Sequence, residues 1–272
     1  MPHTMKKTLL LSARYSEDSI SLRGAAIEEG YDVIRLQHWR APKFLNSANV
    51  VLYGEVVFVL ALADQFSLRI LEPQPHLLAQ IPYQYLQRKV RFLTYSESKI
   101  LSSPFFIKPA AEKFFPAGIY RTGADLPTRD ELYKNFPVLT SEIVNFTLEF
   151  RAFVLDREIL TISPYVFNGA LAKDSSDNWL SFPAEQEAAS VFLNSLLRDS
   201  RISLPPALVA DVGFIKDVGW ALVEFNTPPC SGLCACQPSA ALSVISRSCI
   251  PSLHVTDADQ PWIINPVQQQ IP

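Results

Sequence analysis

An α/β lobe followed by a strand-rich α+β region is the fold class this sequence predicts, and three observations carry it. Short apolar runs alternate with helix-like stretches over the first seventy or so residues. Prolines 73, 75 and 82 then punctuate the chain, and beyond them most periodic segments alternate with the period of two that marks strands. The order β-α-β-β-α is the pattern of a small parallel sheet, so the first lobe is expected to be parallel α/β and the remainder α+β.

The elements follow in order. Residues 8–13 read as a first buried strand, and 18–30 as a helix ended by Gly30. Residues 31–36 and 49–54 are the next strands, 55–68 a mostly apolar helix, and 69–71 a short fourth strand. A helical stretch is expected over 83–90, then strands at 105–108 (stopped by Pro109), 138–144 and 147–155. In the last of these Leu148, Phe150, Ala152 and Val154 lie on one side, and Thr147, Glu149 and Arg151 on the other. A helix near 184–198 carries Ala188, Val191, Phe192, Ser195 and Leu196 along one face. Pro205-Pro206 introduces an apolar strand around Asp211, and Lys216–Gly219 turns it into a hairpin with Trp220–Asn226. After Val255 the chain becomes polar and Pro/Gln-rich, which reads as a loosely held tail. The boundaries expected are 1–84, 85–146, 147–256 and a tail at 257–272.

Composition narrows the function. The net charge of −3 gives no electrostatic footprint for nucleic acid, so no nucleic-acid partner is expected. The apolar run after Lys6-Lys7 is too short for a signal peptide or a membrane span, and a cytoplasmic protein without a membrane partner is expected. Cys230, Cys234, Cys236 and Cys249 lack the paired CxxC spacing of a zinc site and read as reduced thiols. Oligomeric state is not legible.

Two places carry chemistry. Glu224 and Asn226 share one face of a strand, and Asp211 lies on the strand expected to fold back against it. Two carboxylates and an amide oxygen can grip a hard divalent cation such as Mg²⁺; the alternative is a solvated hairpin face carrying two acids. Lys108 ends an apolar strand ahead of a small-residue loop containing Lys113 and Gly118, a suitable place for nucleotide phosphates. The alternative there is a surface lysine closing a strand.

Taken together, these pieces resemble the ATP-grasp superfamily, with a nucleotide site similar to that of D-alanine–D-alanine ligases over about residues 85–250. Phe105-Phe106-Ile107-Lys108-Pro109 and its loop look like the phosphate lysine and flexible loop of that family. Ser141-Glu142-Ile143-Val144 looks like the hinge that meets adenine, and Glu149, seven positions after Glu142, like the ribose carboxylate. Asp211, Glu224 and Asn226, separated by thirteen and two positions, match the Mg²⁺ ligands. The resemblance implies an ATP-grasp fold: a small N-terminal parallel lobe, then two α+β lobes clasping ATP. It implies ATP and Mg²⁺ as cofactors, and a ligase that activates a small-molecule or peptide carboxylate as an acylphosphate for an amine-type or thiol acceptor. Lys108, Arg151 and Arg247 would be catalytic. Arg88, Lys89 or Lys113 would replace an upstream phosphate lysine that this sequence lacks. Pro229-Cys230 stands where the family usually has Pro-Gly, which keeps open a second reading, a non-catalytic nucleotide-binding module that regulates or binds a partner.

Overall fold

The computed structural model describes residues 6–110 and 114–263. The first apolar run forms β1 (Thr8–Leu11), every residue of it buried. A capping box between Ser16 and Ser19 starts α1 (Glu17–Glu28), and Gly30 at φ 81° turns the chain out of it. β2 (Asp32–Arg35) and β3 (Val50–Tyr53) flank β1 in a three-stranded parallel sheet. α2 (Val56–Gln65) buries Phe58, Val59 and Leu62. The next strand, β4 (Leu68–Ile70), does not extend that sheet. It pairs antiparallel with the short strand Cys249–Pro251 near the C-terminus.

The proline-punctuated stretch forms two single-turn helices, α3 (Leu77–Gln80) and α4 (Tyr83–Leu86). The helix expected to reach Val90 stops at Leu86 because Gln87 adopts a left-handed φ of 52°. There follow β5 (Val90–Thr94), α5 (Tyr95–Ser98), β6 (Phe105–Pro109), β7 (Gly118–Tyr120) and β8 (Pro137–Ser141). Their four strands make an antiparallel sheet in the order β5-β8-β6-β7 with its own small core of Tyr95, Phe105, Ile107, Phe115, Leu126 and Val138. β8 ends three residues earlier than the sequence suggests, and residues 142–144 leave the sheet.

The largest sheet is built from β9 (Phe146–Leu155), β10 (Glu158–Phe167), β11 (Ala170–Leu171), β12 (Ala207–Ile215) and β13 (Gly219–Asn226), in the order β11-β10-β9-β12-β13. Between β11 and β12 lies α6 (Pro183–Leu197). It buries Ala189, Leu193, Leu196 and Leu197, whereas Val191 is exposed, so the buried stripe is rotated from the expected one. After β13 come α7 (Pro238–Ser248) and β14 (Cys249–Pro251), the partner of β4. The large sheet and the parallel sheet share one continuous core, running from Leu9 and Leu52 to Phe150 and Leu208. The small sheet therefore stands apart, and a cleft opens between it and β9, β12 and β13.

The expected loose tail is packed in its first part. Trp262 is buried, its carbonyl accepts from the Glu72 amide at 2.7 Å, and Asp259 pairs with Arg247 of α7 at 2.5 Å. Residues 264–272 lie outside the described residues. Among the described residues no helix is long and apolar enough to cross a membrane.

Candidate functional site

Three neighbouring strands place Arg151, Asp211 and Glu224 in one cross-strand row: Asp211 faces Arg151 on β9 and Glu224 on β13. Strict alternation along β13 does not produce this. Leu222 pairs with Val212 and Glu224 with Asp211, so β13 carries one extra residue, Val223, opposite the Asp211–Val212 step. The bulge lets Leu222 stay in the core while Glu224 enters the cleft.

Every charge in the row is answered. The Arg151 guanidinium donates through Nε to Asp211 Oδ1 at 2.9 Å and through Nη2 to Oδ2 at 2.7 Å, and its Nη1 donates to the Gly232 carbonyl at 3.3 Å. The Tyr165 ring lies 4.3 Å beneath it. From β6, across the cleft, the Lys108 ammonium pairs with Glu224. Asn226 donates its amide to Asp211 Oδ2 at 3.0 Å and Glu224 Oε1 at 3.2 Å. Burial pushes the Asp211 carboxyl up against the pull of Arg151. Burial acts on Glu224 in the same way, but Lys108 and Asn226 together hold it below its usual range.

A cavity of about 250 Å³ adjoins this row. Phe106, Ile119, Leu139 and Phe146 give it apolar walls, and Lys108, Glu142, Glu149 and Arg88 supply its polar ones. Ile143 and Val144 line it as well, and their main-chain groups make no hydrogen bond to the described residues. That leaves an edge of backbone donors and acceptors beside a flat apolar slot. Glu142 differs from expectation: its carboxylate accepts from the Lys89 amide at 2.9 Å, bracing β5 against β8. Glu149 is pushed up to about 7 by burial and by the charges of Asp211 and Glu224, against the opposing pull of Arg151 and Arg88.

The basic candidates separate in space. Arg88 reaches the cavity wall, but its guanidinium donates to the carbonyls of Leu86, Leu222 and Val223 and faces the Phe146 ring. Burial lowers it to about 10. Arg151, which the sequence suggests would face an incoming anion, is instead committed to Asp211. Arg247 is not brought to the cleft: it lies in α7, paired with Asp259, and lines neither this cavity nor its neighbour. Lys113 lies outside the described residues.

A second cavity, of about 850 Å³, meets the first at Lys108 and Glu224. Asn226 and Thr227 continue its wall, with Phe114, Phe115 and Pro73 as apolar lining. Sequence reasoning passes over one of its charged members, Glu72, because an acid between a strand and a proline carries no distinguishing pattern. It also passes over Asp18, which lines a smaller hollow of about 230 Å³ with Tyr53 and Gly232. The Tyr53 hydroxyl there donates to the Ser231 carbonyl at 3.1 Å. Cys230 borders both hollows, and burial pushes its thiol up to about 12, so it is neither a thiolate nucleophile nor a ready ligand. All four cysteines are free thiols.

The donor set fits a hard cation. Two carboxylates about 4 Å apart repel by roughly 4 kcal/mol at an effective dielectric near 20, so a positive charge is needed between them and solvent. The Lys108 ammonium fills that place at Glu224. Asn226 already bridges both acids, and rotating its amide would offer an oxygen in place of the nitrogen. Among the described residues no group of three His, Cys, Asp or Glu side chains is poised for a metal, in keeping with a site whose third member is an amide.

A family model described as an ATP-grasp domain, the second family of its clade, matches residues 85–244. Among solved structures, a RimK domain protein ATP-grasp from Sphaerobacter thermophilus DSM 20745 is similar over 89% of this chain and 98% of its own, at 14% identity and a TM-score of 0.50. A D-alanine–D-alanine ligase from Bacillus anthracis complexed with ATP matches over 89% and 96%, at 12% identity and a TM-score of 0.47. The D-cycloserine synthetase DcsG matches over 88% and 99%, at 11% identity and a TM-score of 0.49. No curated protein gives a significant match.

Proposed function

The chain belongs to the ATP-grasp superfamily, and from that premise we propose that it is an ATP- and Mg²⁺-dependent ligase. It activates a substrate carboxylate as an acylphosphate, and an amine-type nucleophile then displaces phosphate. The observation that carries this reading is the Lys108–Glu224 ion pair, which joins two sheets across the cleft where the two cavities meet.

Each residue has a role that its surroundings suit. Adenine enters the apolar slot between Phe106, Leu139 and Phe146 and reads the unpaired backbone of Ile143 and Val144. Glu149 accepts from the ribose hydroxyls. Asp211, Glu224 and Asn226 hold Mg²⁺, which when bound neutralises charge on the phosphates during transfer. As the cation takes over Glu224, Lys108 exchanges its carboxylate partner for a phosphate oxygen. Arg151 is a positioning residue: its fork fixes both oxygens of Asp211 so that the ligand set needs little rearrangement. The chemistry then rests on alignment and electrostatics, without a protein nucleophile. The substrate carboxylate occupies the larger cavity, next to Asn226 and Thr227.

The test is substrate-dependent release of ADP and phosphate from Mg²⁺–ATP in the presence of pooled amino acids, peptides and amines. Glu224→Ala and Lys108→Ala are each expected to lower that turnover by about 10²–10³-fold. Nucleotide binding without turnover across the pool would instead favour a regulatory binding module.

A further inference from the structure

The larger cavity holds a carboxylate that the nucleotide and metal roles leave unused. Glu72 follows β4 directly and lines the cavity together with Lys108, Asn226 and Cys230. Its backbone is fixed. The amides of Leu71 and Glu72 donate to the carbonyls of Ser248 at 3.0 Å and Trp262 at 2.7 Å, and Pro73 and Pro75 stiffen the chain beyond. Its side chain is different: among the described residues its carboxylate has neither a hydrogen-bond donor nor an ion-pair partner.

The other charges of the cavity do not answer it. Lys108 and Glu224 pair with each other, and Arg129 is solvent-exposed. The nearest titratable groups are the Cys230 thiol, whose proton is held to about 12, and Glu55 at the start of α2. A rigidly held acid kept from water without a partner is a costly arrangement, and it needs a cation from outside the chain.

We propose that Glu72 is the acceptor-site carboxylate: it binds the ammonium of a primary-amine substrate in the larger cavity and removes its proton before attack. The proposal rests on the ligase reading for its second half. The ammonium proton passes to the Glu72 carboxylate, leaving a neutral amine. The nitrogen lone pair then forms the C–N bond at the acyl carbon. The C–O bond to the phosphoryl group breaks, with its electron pair and the remaining amine proton leaving on phosphate. Burial pushes the Glu72 carboxyl up to about 7, which brings it closer to an amine as a proton acceptor than an exposed carboxylate is. The apolar lining from Phe114, Phe115 and Leu77 suits an amine on an aliphatic or aromatic body over a small polar one.

Two measurements on the full chain separate this inference from the ligase reading. In the first, protein labelled with ¹³C at glutamate side-chain carboxyls is titrated with n-butylammonium chloride, using equal sodium chloride as the control. The Glu72 signal, identified by its loss in Glu72→Gln, is expected to move with butylammonium and not with sodium. A signal indifferent to butylammonium overturns the site, whatever the enzyme does. In the second, hydroxylamine, uncharged at neutral pH, captures acylphosphate without a proton acceptor. Glu72→Gln is expected to keep hydroxamate formation within about twofold, while amine-dependent phosphate release falls about 10²-fold. Equal loss of both, or of neither, overturns the proton-transfer role. Failure of the wild-type protein to form hydroxamate with any pooled carboxylate counts against the ligase reading, and the butylammonium titration still decides the site.

Discussion

Arg151 and Asp211 face each other on adjacent strands and meet through two parallel hydrogen bonds, 2.9 and 2.7 Å long, in a place almost closed to water. Their side chains are 9% and 1% exposed, so neither charge has solvent as a substitute partner. Arg151→Ala leaves an uncompensated buried carboxylate and is expected to cost about 3–5 kcal/mol in urea unfolding. Arg151→Lys keeps the charge but not the fork, and should fall between the two in stability. A fully stable Arg151→Ala would show that Asp211 is not held in this way.

Glu149 gives the cleft a pH dependence. Its carboxyl is raised from 4.5 to about 7, and accepting ribose hydroxyls requires the ionised form. Nucleotide affinity measured by calorimetry should therefore rise between about pH 6 and pH 8, and Glu149→Gln should flatten that rise. The folding term has the opposite sense. The folded protein binds this proton more tightly than the unfolded chain, so the destabilisation it causes grows as pH climbs from 4.5 and is complete above about 7.

Gly213 controls the floor of the smaller cavity. A Cβ there would lie 2.5 Å from Phe146 Cδ1 and 3.0 Å from Val223 Cγ2, and both of these residues line the cavity. Gly213→Ala is expected to cost about 1–3 kcal/mol and, by displacing Phe146 into the slot, to weaken nucleotide binding about tenfold or more. Unfolding curves and nucleotide titrations on the same variant separate the two effects.

The segment around Trp262 is predicted to be structural. Trp262 is buried in the shared core and its carbonyl holds the Glu72 amide. Trp262→Ala should cost about 3–5 kcal/mol. A loosely held tail would lose next to nothing.

Much of the fold is legible because local pattern and tertiary role agree. The runs at β1 and β3 are apolar throughout and become the buried strands of a parallel sheet, and Gly30 ends α1 where its φ of 81° is needed. Misreadings come where a distant contact decides. The exposed Val191 and buried Leu193 of α6 are both apolar, so the sequence does not distinguish which stripe the sheet covers. Leu71 and Glu72 are tied to Ser248, Trp262 and Ile263, far along the chain. In the cleft, the spacing of Asp211, Glu224 and Asn226 is visible as text, but the Val223 bulge that aims Glu224 is not. Arg88 reads as a phosphate cation until Leu222 and Val223 are found against its guanidinium. Glu72 has no local signal at all, since its character comes from what surrounds it.

The most direct test of the Mg²⁺–nucleotide cleft is titration of a non-hydrolysable ATP analogue, with and without Mg²⁺, into the wild-type protein and Glu224→Gln. Tight binding that requires Mg²⁺, and a loss of at least about tenfold in affinity (roughly 1.4 kcal/mol) in the variant, is the predicted result. Affinity that ignores both Mg²⁺ and the Glu224 substitution would contradict it.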